Sequence, residues 1–235
     1  MRGRAVLRLV ALCAVLLLPA APGVSASAPA CPPVGPEAEL SAPLPRFAQA
    51  VASGGPIEIL TVGLGSMRAG GVEGPFAQAF REALARGLPG RTINITAVPT
   101  PGMVARDAAD RVRRGVAEGE PVLVIWRTGL TDALAVTDPT RFGRIVQRAA
   151  AWVSAQNADL VLVDLAYAGS AYEPTYRRYV DALAEVGRVG EAAVFRRYAI
   201  TEAWHRAGVA PQPMAASEAC LAEALAAAIL RRVAP

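Results

Sequence analysis

Five short apolar runs recur along the chain, and each is followed by a stretch with helical spacing. "IEILTVG" (57–63), "RTINITAV" (91–98), "PVLVIW" (121–126), "ADLVLVDL" (158–165) and the shorter "AAVFRRY" (192–198) predict strands. Most of these runs are apolar without alternation, the pattern of strands covered on both faces of a parallel sheet. Between them lie helical patterns. Phe76, Phe80 and Leu84 fall four apart within a predicted helix Pro75–Arg86, and Phe142, Ile145, Val146 and Ala149 share one face of Pro139–Gln156. Met103–Glu118, Tyr172–Val186, Ile200–Ala207 and Ala215–Arg232 complete the set of predicted helices. Regular alternation with right-handed crossovers yields a three-layer α/β/α architecture around a five-stranded parallel sheet. Working sites in such sheets lie beyond the carboxyl ends of the strands. The loops that matter are therefore Gly63–Gly74, Pro99–Gly102, Arg127–Asp138, Ala166–Glu173 and Ala207–Ala216.

The chain's beginning changes the picture of where it acts. Arg2 and Arg4 precede an apolar run from Val6 to Leu18, and "VSA" (24–26) supplies small residues for cleavage. Residues 1–26 thus read as a secretory signal, with a retained membrane anchor as the alternative. The expectation is an exported protein, periplasmic or extracellular, with no stable membrane anchor once the signal is removed. A lipoprotein reading needs a cysteine at the cleavage site, and Cys31 comes too late and is followed by two prolines. Residues 27–56, rich in Pro and Ala, predict an arm laid over the surface of a single domain spanning 57–235. Cys31 and Cys220 lie near the two ends, and in an oxidising compartment they predict a disulfide, the other reading being two separate buried thiols.

Charge and composition narrow the chemistry. The formal net charge is +4, carried by arginine alone because the sequence contains no lysine. No long basic cluster is interleaved with aromatics, so nothing suggests nucleic-acid binding. With one histidine and no Cys/His cluster, a metal site is not expected. The glycine-rich "GLGSMRAGG" (63–71) lacks the third glycine of a dinucleotide fingerprint and the lysine of a phosphate loop, so no cofactor is expected.

"VIWRTGLTDAL" (124–134) ends a strand in Trp126 and turns through Gly129, Leu130, Thr131 and Asp132, which resembles the third conserved block of the SGNH/GDSL hydrolases. The resemblance runs from about Ile57 to Leu230. "IEILTVGLGSM" sits at the nucleophile block, "PTPGM" at the second-block glycine, "VLVDLAYAG" at the fourth strand, and "AWHRAG" leads toward the Asp-x-x-His block before a matching last helix. It implies a flavodoxin-like SGNH-hydrolase fold and, for the family at large, ester hydrolysis. Carried over residue by residue, however, it places Gly65 at the nucleophile and keeps Gly102 as an oxyanion-hole glycine. Thr131 replaces the third-block asparagine with Asp132 beside it, Val209 replaces the aspartate, and Gln212 replaces the histidine.

A serine nucleophile needs a base to take its proton, normally an imidazole oriented by a carboxylate. Ser66 stands one residue beyond the motif position and reads as a turn residue, and His205 reads as a helix-surface residue. Asp132 and Asp164 end strands and could act as acids or bases, although each also suits bonding to loop backbone. The reading that follows is a catalytically degenerate member that binds a glycan or acyl-ester ligand in the inherited cleft, lined by Thr131, Asp132, Gln212 and Tyr167. The alternative is an active esterase or glycan deacetylase with Ser66 relocated as nucleophile and His205 as its base.

Overall fold

A computed structural model describes residues 31–64, 74–190 and 192–233. Gly65 and Ser66, and the proposed signal 1–26, lie outside the described residues. After a single 3-10 turn at Pro36–Ala38, the elements are α1 (Pro45–Ser53), β1 (Ile57–Val62), α2 (Pro75–Gly87), β2 (Ile93–Val98), α3 (Ala105–Gly119) and β3 (Leu123–Arg127). Then follow α4 (Leu130–Leu134), α5 (Pro139–Ala155), β4 (Asp159–Val163), α6 (Glu173–Arg188), β5 (Ala193–Phe195), α7 (Arg197–Arg206) and α8 (Met214–Leu230). All five expected strands form one parallel sheet in the order β2-β1-β3-β4-β5. The predicted helices are present with ends shifted by a few residues, and α4 adds a short helix inside the loop expected after the third strand.

The period of two along each strand sorts the core into two layers. Ile59, Leu123, Ile125, Val161 and Phe195 face α1, α2 and α8, in a layer that includes Phe47, Phe80 and Leu225. Leu60, Val62, Val124, Trp126 and Leu162 face α3, α5 and α6, in a layer that includes Val112, Phe142 and Tyr179. β2 is the edge strand and none of its residues is fully buried, which explains why polar Asn94 and Thr96 alternate with its isoleucines.

The N-terminal segment departs from the surface arm expected for residues 27–56. Ala38, Leu40, Leu44 and Phe47 are 0–2 % exposed, so this stretch forms part of the core. The reason is local: three large apolar residues three and four apart sit in an otherwise bland composition, and Pro45 occupies the first turn of α1, where its missing N–H costs nothing. The same segment protects the β5 edge. The Ser41 N–H donates to Val194 O at 3.4 Å and the Val194 N–H donates to Ser41 Oγ at 2.9 Å, occupying groups that would otherwise pair with another chain. It is fastened to α7 by the Trp204 indole N–H on Pro33 O and to α8 by Arg232 on Leu40 O.

The expected disulfide is present. Cys31 and Cys220 are bonded with a Cα–Cα separation of 5.3 Å, across 189 residues. Closing so long a loop removes conformational freedom from the unfolded chain worth about 5 kcal/mol. Replacing both cysteines by serine should therefore lower the unfolding free energy by several kcal/mol in a denaturant titration. Adding a thiol reductant to the native protein should give the same loss, and to the variant none.

Candidate functional site

The strand order places the turn of direction between β1 and β3, whose chain continuations leave toward opposite sides of the sheet. In open parallel sheets this divergence leaves a crevice. Here the exits of β1, β2 and β3 converge on Gly63. Its φ of +72° is one that side-chain-bearing residues rarely adopt, and a Cβ would stand 2.7 Å from Arg127 O and 3.0 Å from Thr100 Oγ1. Glycine is thus a steric requirement at this crossing. Gly102 lies exposed in the turn that leaves β2. Thr131 is half-buried on α4, on the β3 side of the same crevice.

A charged group that the loop reading did not single out occupies this carboxyl end. Arg127, the last residue of β3, donates through Nε to Gly63 O at 2.8 Å and through Nη1 to Glu218 Oε2 at 3.0 Å. Arg197, which opens α7, donates through Nη2 to the other oxygen, Glu218 Oε1. Three elements distant in sequence, β3, α7 and α8, therefore meet at one carboxylate. The side chains of Arg127, Arg197 and Glu218 are 27 %, 12 % and 20 % exposed, so the group is mostly withdrawn from water. Burial lowers the Arg197 guanidinium from its usual range, and Glu218 opposes that shift. The sequence carried one trace of the network: an arginine closing each of two apolar strands, in "VIWR" and "VFRR". Partners 91 and 21 residues away give no pattern to read.

The two aspartates at strand ends have structural employment. Asp132 Oδ2 accepts from the Ala105 N–H at 2.7 Å, where α3 begins, and Oδ1 accepts from the Thr137 hydroxyl at 3.1 Å. Burial raises its carboxyl above the usual range, while the Ala105 N–H and the Thr137 hydroxyl pull it back. Asp164 Oδ1 accepts from the Tyr198 N–H of α7 at 2.8 Å. Burial pushes its carboxyl up to about 7, against the Tyr198 N–H and the nearby Arg197.

His205 is exposed on α7, its ring 5.2 Å from that of Tyr167 in the loop after β4. The Tyr167 N–H donates to Thr201 Oγ1, and its ring meets Tyr198 edge-on at 5.6 Å. Val209 and Gln212, which the resemblance set at the Asp-x-x-His block, are exposed in the α7–α8 connection, Val209 donating its N–H to Trp204 O. Among the described residues no group of three His, Cys, Asp or Glu could hold a metal ion. The residues brought to the sheet's carboxyl end are thus Gly102, Thr131, Asp132 and Tyr167, with the Arg127–Glu218–Arg197 network added.

A 2-1-3-4-5 parallel sheet with its switch point at the β1/β3 exits is the flavodoxin-like arrangement of α/β proteins, one that SGNH hydrolases share. The family model of the non-GDSL lipase-like family matches residues 30–235, and the chain belongs to that family. Solved structures carry the same fold at low identity. LAE5, an alpha/beta hydrolase enzyme from the metagenome of Lake Arreo, Spain, is 14% identical with a TM-score of 0.64, covering 77% of this chain and 98% of its own. A catalytic mutant of Axe2, an acetylxylan esterase from Geobacillus stearothermophilus, is 15% identical with a TM-score of 0.61, covering 77% and 95%. TesA is 19% identical with a TM-score of 0.51, covering 58% and 76%. No curated protein matches the sequence significantly.

Two outcomes test this electrostatic arrangement. Glu218→Ala leaves two arginines facing each other without their carboxylate and should cost about 3 kcal/mol of stability in chemical denaturation. Asp164 holds its proton to about pH 7 when folded but releases it near 3.9 when unfolded. Its favourable contribution is therefore complete below about pH 4 and is lost as pH rises through about 7. Asp164→Asn keeps an acceptor for the Tyr198 N–H and does not titrate. Relative to wild type, the variant should gain up to about 4 kcal/mol between pH 4 and pH 8 in paired denaturation series.

Proposed function

We propose that this is an exported, non-hydrolytic member of its family that binds a ligand of the acyl-ester or glycan type in the crevice at the carboxyl end of the sheet. The observation that carries the reading is the position of the imidazole. The sequence has one histidine, and it lies exposed on α7 against Tyr167, while Val209 and Gln212 stand at the positions of the catalytic aspartate and histidine. Neither a valine nor a glutamine can shuttle a proton near neutral pH, and a serine without such a partner is a weak nucleophile. The carboxylates that could substitute, Asp132 and Asp164, are committed to backbone N–H groups. Export is supported by the signal-like residues 1–26 and by the Cys31–Cys220 disulfide, a bond that persists in oxidising compartments.

Family kinship favours a second reading, an ester hydrolase or glycan deacetylase in which Ser66 attacks and His205 accepts the proton. One experiment separates the two. The purified protein is incubated with p-nitrophenyl acetate and, in parallel, with a fluorophosphonate probe that labels activated serines. The proposal expects turnover no faster than that of a Ser66→Ala variant, and no labelling. Labelling that disappears in Ser66→Ala would overturn it. Rebuilding the site should need Gly65→Ser, Gln212→His and Val209→Asp together, because triad members act as a unit. Strong activity from Gly65→Ser alone would show that a usable base is already in place.

A further inference from the structure

The unpaired arginines of this protein gather on one side of the sheet. Among the described residues Arg111, Arg114, Arg141, Arg144, Arg148 and Arg178 are exposed and bond to nothing through their side chains. All six belong to α3, α5 and α6. Elsewhere arginine side chains are tied: Arg86 to Glu223, Arg91 to Gly55 O, Arg231 to Glu39. The pattern is strongest on α5, which packs against both α3 and α6. Its 17 residues hold three arginines and no acid, and the spacing of three and four puts Arg141, Arg144 and Arg148 on one face.

A groove of about 400 Å³ lies between α5 and α6, within the size range of binding clefts. Its lining includes Gly143 and Ala182, where the helices meet: a Cβ on the glycine would stand 3.5 Å from the Ala182 Cβ. Val186 and Val189 add apolar surface, with Val189 46 % exposed. Arg144 lines the groove from α5 and Arg178 from α6, so each wall carries a guanidinium without a carboxylate. The one acid in the lining, Glu185, is bonded twice to Arg188, by Nε at 2.8 Å and Nη2 at 2.6 Å. Asp138, just ahead of α5, accepts from the Arg141 N–H. Asp181 is exposed on α6 outside the lining and pairs with no arginine. Counting every charge on the two helices, six arginines face Glu173, Asp181 and Glu185, a net of +3.

Apolar surface between cationic walls suits an amphipathic helix laid in a groove, with anchors at i, i+3, i+4 and i+7. The lining spans 139–147 and 178–189, about 12 and 17 Å of helix, or two to three turns. A second copy presenting the same groove would set arginine against arginine, a costly juxtaposition. A neutral ligand would leave both guanidinium groups unanswered, and an acidic polymer without apolar groups would leave Val189 uncovered.

We propose that the α5–α6 groove docks an acidic amphipathic helix of a partner protein. Its apolar stripe lies over Ala182, Val186 and Val189, and its flanking carboxylates pair with Arg144 and Arg178. The inference goes beyond the crevice reading and does not depend on it, because no residue of the groove belongs to that crevice.

The test is fluorescence anisotropy of the purified, disulfide-bonded protein with three labelled peptides of equal length. The first places leucines at i, i+3, i+4 and i+7 between glutamates. The second replaces every glutamate by lysine, and the third scrambles the first so that no leucine stripe survives. The first should bind about tenfold or more tighter than either of the others, and should weaken as salt is raised. The double variant Arg144→Glu, Arg178→Glu should lose about tenfold or more for the first peptide without a lower melting temperature, since neither side chain bonds within the protein. Val189→Asp should weaken binding as well. Arg114→Glu, on α3 outside the groove, should change affinity by less than about twofold, because salt screens distant charges. Should the double variant not fold, Val189→Asp and Arg114→Glu decide. Equal binding of the scrambled peptide, or its displacement by polygalacturonate as readily as by the first peptide, would mark a surface for polyanions at large and overturn the proposal. So would equal binding of the lysine peptide, no binding of the first, or undiminished binding by the groove variants. Each result holds whether or not the protein turns over p-nitrophenyl acetate.

Discussion

Three buried aspartates, all on or beside the β3–β4 pair, hold the helices of this protein to its sheet. An α-helix begins with N–H groups that have no intrahelical acceptor, and α1, α3 and α7 carry no side-chain cap of their own. In each case a distant aspartate supplies the acceptor. Asp159, opening β4, takes the Phe47 N–H of α1 at 2.9 Å; Asp132, after β3, takes the Ala105 N–H of α3; Asp164, just after β4, takes the Tyr198 N–H of α7. The carboxylates are nearly inaccessible, at 6 %, 3 % and 1 % exposure. Burial raises all three carboxyls, and the backbone N–H is the largest opposing influence on each. Losing one of these bonds would leave a buried carboxylate oxygen and a helix N–H without their partner, which is why the helix positions depend on them.

That employment bears on function. Here Asp132 and Asp164 are drawn inward to cap helices, and the crevice is left with arginines and one shared glutamate. Arg127 and Arg197 could not be so deeply placed without Glu218, and Glu218 is held in register by α8. That helix is tied in turn to the N-terminal segment through Cys220, and through Arg231 to Glu39 and Arg232 to Leu40. The strap formed by residues 31–44 thus reaches the crevice indirectly, by fixing the helix that carries its carboxylate.

The large apolar side chains complete a division of labour. The interior of the sheet sandwich is closed by Phe47, Phe80, Trp126 and Phe142, all essentially inaccessible. The carboxyl-end connections keep Leu130, Leu134 and Met214 in solvent.

Much of the fold was legible in the chain because it follows from local periodicity. Continuous apolar runs report burial on both faces, and the fourfold spacing of Phe76, Phe80 and Leu84 reports one buried helix stripe; both signals live within a dozen residues. The disulfide was legible from two cysteines near the ends of a chain that opens on a signal-like segment. Residues 27–56 misled because Pro and Ala dominate their composition and outweigh the one local signal, the four-and-three spacing of Leu40, Leu44 and Phe47. The reading of Val209 and Gln212 at the Asp-x-x-His positions rests on the order of segments in the sequence. The Arg127–Glu218–Arg197 network was not visible, nor were the three trans caps. Their partners lie between 21 and 112 residues apart and carry no spacing signal, because only the packing of the sheet brings them within hydrogen-bond reach. Sequence determined which stretches are strands and helices; tertiary structure decided which charges meet, because burial and pairing are properties of the assembled layers.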